Sequence, residues 1–201
     1  MRAATRFAAV VAAMTFAACT PGPNYSPRDN VSLPPDAVQG AGDPTRSAIL
    51  NAAYAFGTPS SLAGRPAEAA VAAAQLDYLA SEITFGPRWR EFDPTVGLLL
   101  QRTRGEVRTY LGISQEAAPQ AVVDSLYGAS RALRSNDRTA ALRIMAPPVY
   151  PNAEGTLGRL AAVPLLPTAN QATARAAQEL DRMDRIGGQS RGGMGGGGGR
   201  N

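Results

Sequence analysis

Arginine and the carboxylic acids are the only side chains of this sequence that are fully charged at neutral pH. All 20 basic residues are Arg, they face 16 acids, and neither His nor Lys occurs among the 201 residues. Without imidazole there is no Ser-His-Asp or Cys-His arrangement, and without a lysine amine there is no Schiff base. Among enzyme mechanisms, the composition therefore leaves carboxylate chemistry alone.

The one thiol, Cys19, stands at the end of a short apolar run. Arg2 and Arg6 give a positive start, and Phe7 to Ala18 is a run of 12 residues with a single polar member. A basic start, an apolar stretch of about 7–15 residues and small residues before a cleavage site describe a secretory signal peptide. The run is shorter than the ~20 residues of a membrane-spanning helix. The sequence therefore predicts export, with this leader removed.

The segment Phe16-Ala17-Ala18-Cys19 resembles the lipobox of bacterial lipoproteins, with Phe16 where Leu is usual. In that family the Cys sulfur takes a diacylglyceryl group, a peptidase cuts before it, and the new amine is acylated. The resemblance implies that residues 1–18 are a signal peptide and that Cys19 anchors the protein to membrane lipid. Thr20 stands where the family's inner-membrane retention signal has Asp. The resemblance therefore implies the outer membrane, with the domain facing the periplasm.

Lipidation of Cys19 also narrows the possible cofactors and partners. It consumes the only sulfur nucleophile, so no N or S side chain is left for a zinc or iron–sulfur site, and we expect neither metal nor cofactor. Removing the leader leaves 18 arginines against 16 acids, a net charge of +2. This near-neutral balance does not indicate a nucleic-acid partner. The RGG-like glycine-rich end at 187–201 does not change that, because the protein is expected to be exported.

Composition divides the mature chain into three parts. Residues 19–42 hold the lipidated Cys and a Pro-rich tether, residues 43–186 have apolar residues at helical spacing, and residues 187–201 are a Gly-rich tail. In polyproline geometry, at ~3.1 Å per residue, the tether reaches on the order of 70 Å. We expect a disordered tether and tail around one helical domain.

Helix starts recur through the central part. Asp43-Pro44 and Asp93-Pro94 each place a capping acid before a proline, and Pro66 opens a second helix between them. Ser114 is the predicted cap of a fourth helix. Shorter helices are expected up to Met145 and over Gly155–Val163, and Thr168 caps the last one. No segment shows the alternation of apolar and polar residues that is typical of a β-strand. The sequence therefore predicts an all-α, single compact antiparallel bundle of five to seven helices.

The stretch FGPRWREFD, residues 85–93, collects aromatic and arginine side chains. One interpretation is an aromatic plug at a corner between two helices. The other is an interaction surface, because Trp and Arg dominate binding hot spots and two flanking prolines restrict the backbone. The candidate interaction patch comprises Phe85, Arg88, Trp89, Arg90 and Phe92. Glu82 and Glu91 nearby are a candidate acid pair for sugar cleavage.

Arg131, Arg134 and Arg138 follow one another at near-helical spacing. Such a stripe is either a solvated helix face or a contact for anions. Guanidinium groups match phosphate and carboxylate oxygens bidentately, so lipid phosphates or acidic wall polymers are the candidate ligands.

These observations favour a lipid-anchored envelope protein with a structural or interaction role in assembly, transport or cell-wall contact. We expect no enzymatic activity and a protein partner in the envelope. The alternative is a carboxylate-dependent cell-wall glycan hydrolase or lyase.

Overall fold

The computed structural model describes residues 30–38 and 42–192. Over these residues the chain forms seven α-helices and no strand, which confirms the predicted all-α bundle. The helices are α1 (Pro44–Gly57), α2 (Pro66–Phe85), α3 (Pro94–Leu111), α4 (Pro119–Arg134), α5 (Arg138–Ile144), α6 (Ala153–Ala161) and α7 (Pro167–Gly192). Short 3₁₀ turns cover Pro35–Ala37, Pro59–Ser61 and Pro87–Trp89.

The predicted starts of α1, α2 and α3 are confirmed, and each begins with a proline. Proline suits this position because the missing N–H would have no partner inside the helix. The Asp43 carboxylate accepts the backbone N–H of Thr45 at 3.0 Å, and Asp93 accepts that of Thr95 at 2.9 Å. Helix α3 is terminated by the next residue, Gly112, whose φ of 74° is easily adopted only without a Cβ.

Helix α2 is the centre of the bundle. It packs against α1, α3, α4 and α6, and 14 of its 20 residues are buried. Half of those buried side chains are alanines, so neighbouring helices approach from several sides without leaving space between them. A helix that is apolar nearly all round belongs in the interior of a domain. The buried polar residues of α2 are therefore the exceptions that need partners.

The remaining helices form two groups around this central helix. Helix α4 packs against α2 on one side and against α5 on another, while α6 contacts both α2 and α3. Helix α7 packs against α1 and α3, and it buries Ala169, Ala172, Thr173, Ala176 and Leu180. The first and last helices of the domain are therefore direct neighbours.

Three helix starts differ from the sequence prediction. Thr168 does not cap the last helix, because α7 begins one residue earlier, at Pro167. Ser114 does not cap α4: its backbone N–H donates to the Val149 carbonyl at 2.9 Å, and α4 begins only at Pro119. Residues 114–117 instead form a turn, in which the Ala117 N–H donates to the Ser114 carbonyl. Helix α6 begins at Ala153, before the predicted Gly155, because the Asn152 side chain accepts the Gly155 N–H at 2.9 Å and caps it.

The described structure extends beyond the predicted 43–186 at both ends. Val31 is buried against the helices, the Ser32 N–H donates to the Gln120 side chain at 2.8 Å, and Asp36 binds Arg131. Residues 30–38 therefore lie along α4 rather than within a free tether. At the other end, α7 continues past Ile186 to Gly192.

Candidate functional site

Trp89 lies inside the protein, at the corner between α2 and α3. Its side chain is 4% exposed, and its indole Nε1–H donates to Glu82 Oε1 at 3.0 Å. The Phe92 ring packs edge-on against it, with 5.1 Å between the ring centroids and an interplanar angle of 80°. This T-shaped arrangement is a favourable geometry for an aromatic pair. Trp89 and Phe92 are thus core residues, as in the aromatic-plug interpretation.

The other members of the candidate interaction patch are exposed. Phe85 is 43% exposed, and Arg88 and Arg90 also face solvent. The Arg88 guanidinium carbon lies 4.7 Å from the centroid of the Trp89 ring, within cation–π distance. The structure therefore does not bring the five predicted residues together on one surface. What remains accessible here is Phe85 with the two arginines.

Arg88 also ties this corner to α1 through an ion pair with Asp43. Partial burial alone would raise the pKa of Asp43. The hydrogen bonds from Arg88 and from the backbone of Arg46 outweigh it, and the pKa lies below its ordinary value. Asp43 is therefore ionised at neutral pH while it caps α1 and binds Arg88.

The two acids considered for sugar cleavage have different surroundings. Glu82 holds the buried indole of Trp89, whereas the Glu91 side chain is exposed and its backbone carbonyl accepts Arg182 Nη2 at 2.7 Å. Arg182 also pairs with Glu179 on its own helix. The Glu82 carboxylate thus orients Trp89, and Glu91 joins the corner to α7 through its main chain.

The most deeply buried charges were not predicted from the sequence. Arg108 on α3 and Asp77 on α2 are each 4% exposed and form a bidentate ion pair. The remaining guanidinium nitrogen, Nη1, donates to the Ala117 carbonyl at 2.8 Å and also reaches the carbonyls of Ser114 and Gln115. One buried arginine therefore holds α2, α3 and the turn before α4 together. The only signal in the sequence is an acid within a mostly apolar stretch of α2.

The three arginines of the predicted stripe bind three different parts of the fold. Arg131 Nη1 donates to both carboxylate oxygens of Asp36, at 3.0 and 2.8 Å. Arg134 Nε lies 3.7 Å from Glu68 Oε1, and Arg138 pairs with Glu154. Arg138 also starts α5, because a turn at residues 135–137 ends α4 first. The three do not form one helix face.

Two of these arginines line a surface cleft of about 550 Å³ beside the start of α2. Arg65, which directly precedes α2, is the third arginine of its wall. The other lining residues are Gly64, Pro66, Ala67, Glu68, Leu133, Asn136, Leu157, Gly158 and Ala161, together with Arg134 and Arg138. The cleft therefore combines three guanidinium groups with a partly apolar wall.

Two further properties concern metals and membranes. Over residues 30–38 and 42–192, no group of three or more Cys, Asp or Glu side chains is arranged to hold a metal ion. No helix in that part of the chain is long and apolar enough to cross a membrane. Cys19 and the predicted leader lie outside the described residues.

No protein-family model, curated protein or solved structure matches the chain.

Proposed function

We propose that the protein is a lipid-anchored envelope protein with a structural or interaction role, attached to the outer membrane and facing the periplasm. The observation that carries this proposal is the position of Cys19, the only thiol of the chain, directly after a signal-like apolar run. A single cysteine in an exported chain is a reactive liability unless a modification consumes it. Thioether formation at Cys19 does so, and it supplies the anchor.

The packing of residues 30–38 sets an upper limit on the distance between this anchor and the domain. Only residues 20–29 separate Cys19 from the first described residue. At 3.3–3.6 Å per residue their full reach is about 35 Å, less than half of the roughly 80 Å that a tether up to residue 42 would allow. The domain is therefore held close to the membrane, where it acts on partners near the bilayer surface.

Four carboxylates of the bundle suit ion-pair and capping roles rather than acid catalysis. A general acid needs a pKa raised toward the working pH. Four carboxylates of the bundle have pKa values below the ordinary ones, because arginines or backbone N–H groups bind their charged forms: Asp43, Asp93, Glu179 and Asp184. They remain ionised at neutral pH and serve as ion-pair and capping groups.

Metabolic labelling of cells with a palmitate analogue tests the anchor. The wild type is expected to take the label and to fractionate with the outer membrane, while Cys19→Ala does neither. Thr20→Ala is the matched control, since it changes the next residue and keeps the thiol. Equal labelling of wild type and Cys19→Ala would refute the anchor.

The interaction role is tested separately by crosslinking in intact cells. The wild type is expected to crosslink to a defined envelope protein, and Cys19→Ala, which leaves the domain unchanged, loses that product. A labelled, membrane-bound protein that gives no specific crosslink would argue against the interaction role and leave the anchor standing.

A further inference from the structure

The cleft at the start of α2 draws its positive charge from three separate elements. Arg65 precedes α2, Arg134 ends α4 and Arg138 begins α5. Three arginines from different elements line one cleft, which gives it more positive charge than a single exposed arginine provides. We propose that this cleft binds a phosphate ester. The site does not depend on the anchor at Cys19.

The guanidinium groups retain hydrogen-bond donors for such a ligand. Within the described residues Arg65 has no ion pair, and Arg134 stays 3.7 Å from Glu68, beyond hydrogen-bond distance. Arg138 uses its Nη2 for Glu154. Each guanidinium carries five N–H donors in a planar fork, so most of them are available to phosphate oxygens.

The volume and the apolar lining of the cleft suit a phosphate ester better than a free phosphate ion. Its volume of about 550 Å³ lies within the range of small-molecule sites, roughly 300–1,000 Å³. Leu133, Leu157 and Ala161 give it an apolar wall beside the arginines. A ligand that fills the site therefore has an organic part against this wall and a phosphate group at the arginines.

Two neighbouring features modify the charge of the cleft. The first peptide N–H groups of α2, at Ala67 and Glu68, have no acceptor within the helix, and Arg65 provides no side-chain cap. They add a partial positive charge next to the guanidinium groups. The Glu68 carboxylate opposes them, so replacing it is expected to strengthen binding.

Amide NMR of the full chain in detergent tests the proposal. Inorganic phosphate and glycerol 3-phosphate are added at constant ionic strength, and the amides of Gly64 and Gly158 report on the cleft. Saturable shifts are expected for both ligands, with tighter binding of the ester. Arg65→Gln and Arg134→Gln are expected to weaken binding by about tenfold or more, because each removes charge-assisted hydrogen bonds.

Arg143→Gln is the matched control, because Arg143 is an exposed arginine of α5 outside the cleft. It should bind like the wild type, while Glu68→Gln binds more tightly. Shifts that do not saturate, or an equal loss for Arg143→Gln and Arg65→Gln, would overturn the proposal.

The source of the ester is resolved in nanodiscs. Discs with phosphatidylglycerol that reproduce the glycerol 3-phosphate shifts, where phosphatidylcholine discs do not, support a lipid headgroup. Shifts produced by the soluble ester alone support a free phosphate ester. Both outcomes are consistent with a phosphate-ester site in the cleft and differ only in the source of the ligand.

Discussion

Arg108 and Asp77 meet inside the bundle through two parallel hydrogen bonds, Nε to Oδ2 at 2.6 Å and Nη2 to Oδ1 at 2.7 Å. The pair connects α3 to the central helix α2, and the third nitrogen of the guanidinium holds the turn at residues 114–117. Both charges are buried away from water, so each is stabilised by the other instead of by hydration.

Removing one partner of this pair is expected to destabilise the protein more than removing both. Asp77→Leu or Arg108→Met leaves an uncompensated buried charge or orphaned acceptors, and we expect a loss of about 3–5 kcal/mol in the free energy of unfolding. Asp77→Leu combined with Arg108→Met should recover part of that loss. Denaturant unfolding of both single variants and the double variant measures the coupling. Strictly additive losses would contradict a coupled pair.

Trp89→Ala is expected to act on stability before it acts on any partner. It empties a buried site against Phe92 and removes the donor to Glu82, so unfolding should become easier by about 3–5 kcal/mol. The exposed neighbour Phe85 is the control, and Phe85→Ala should stay within about 0.5 kcal/mol of the wild type. Thermal and denaturant unfolding compare them. A Trp89→Ala protein of unchanged stability would contradict the packed corner.

Because residues 30–38 pack against the helices, we predict that they belong to the protease-resistant core. Proteinase K should leave a resistant core that begins near residue 30 in the wild type. Val31→Asp places a charge in a buried site, so the segment should detach and the core should begin near residue 42. Mass spectrometry of the core reads the boundary. Leu98→Asp, at an exposed position of α3, is expected to keep the wild-type boundary; if it shifts the boundary as Val31→Asp does, the effect is not local.

Acid is expected to weaken the contact between α1 and α7. The hydrogen bonds from Arg46 hold the pKa of Asp184 below its ordinary value of 3.8. A lowered folded-state pKa stabilises the protein above the unfolded pKa, and this contribution is lost as the pH falls through the folded value. Arg46→Gln should therefore lower Tm at pH 7, and the difference from wild type should shrink below about pH 4. Arg143→Gln should show no such trend.

The helical fold could be predicted because its signals are local. Asp43-Pro44 and Asp93-Pro94 combine a cap with a proline that suits the first turn, and both start helices where predicted. Ser114 is also a typical capping residue, but the prediction that it caps α4 was wrong. Arg108, on α3, binds carbonyls of the turn that Ser114 begins. Local chemistry fixes a helix start only where no side chain from another element competes for the same backbone groups.

The candidate sites depend on contacts that the sequence does not encode locally. The burial of Trp89 follows from α2, α3 and Phe92 meeting at one corner, and residues 85–93 alone fit a surface equally well. Arg65 was not singled out, since it lies far in sequence from Arg134 and Arg138. The cleft that gathers the three arginines exists only once α2, α4 and α5 have packed.

The pairing of α1 with α7 also determines when the domain can finish folding. Arg46 and Asp184, which join these helices, are 138 residues apart in the sequence. A contact of that separation costs loop-closure entropy and forms late. During synthesis, α1 exposes the face that α7 will cover until nearly the whole chain has been made. The order of the helices therefore leaves α1 without its α7 partner through most of the chain's synthesis.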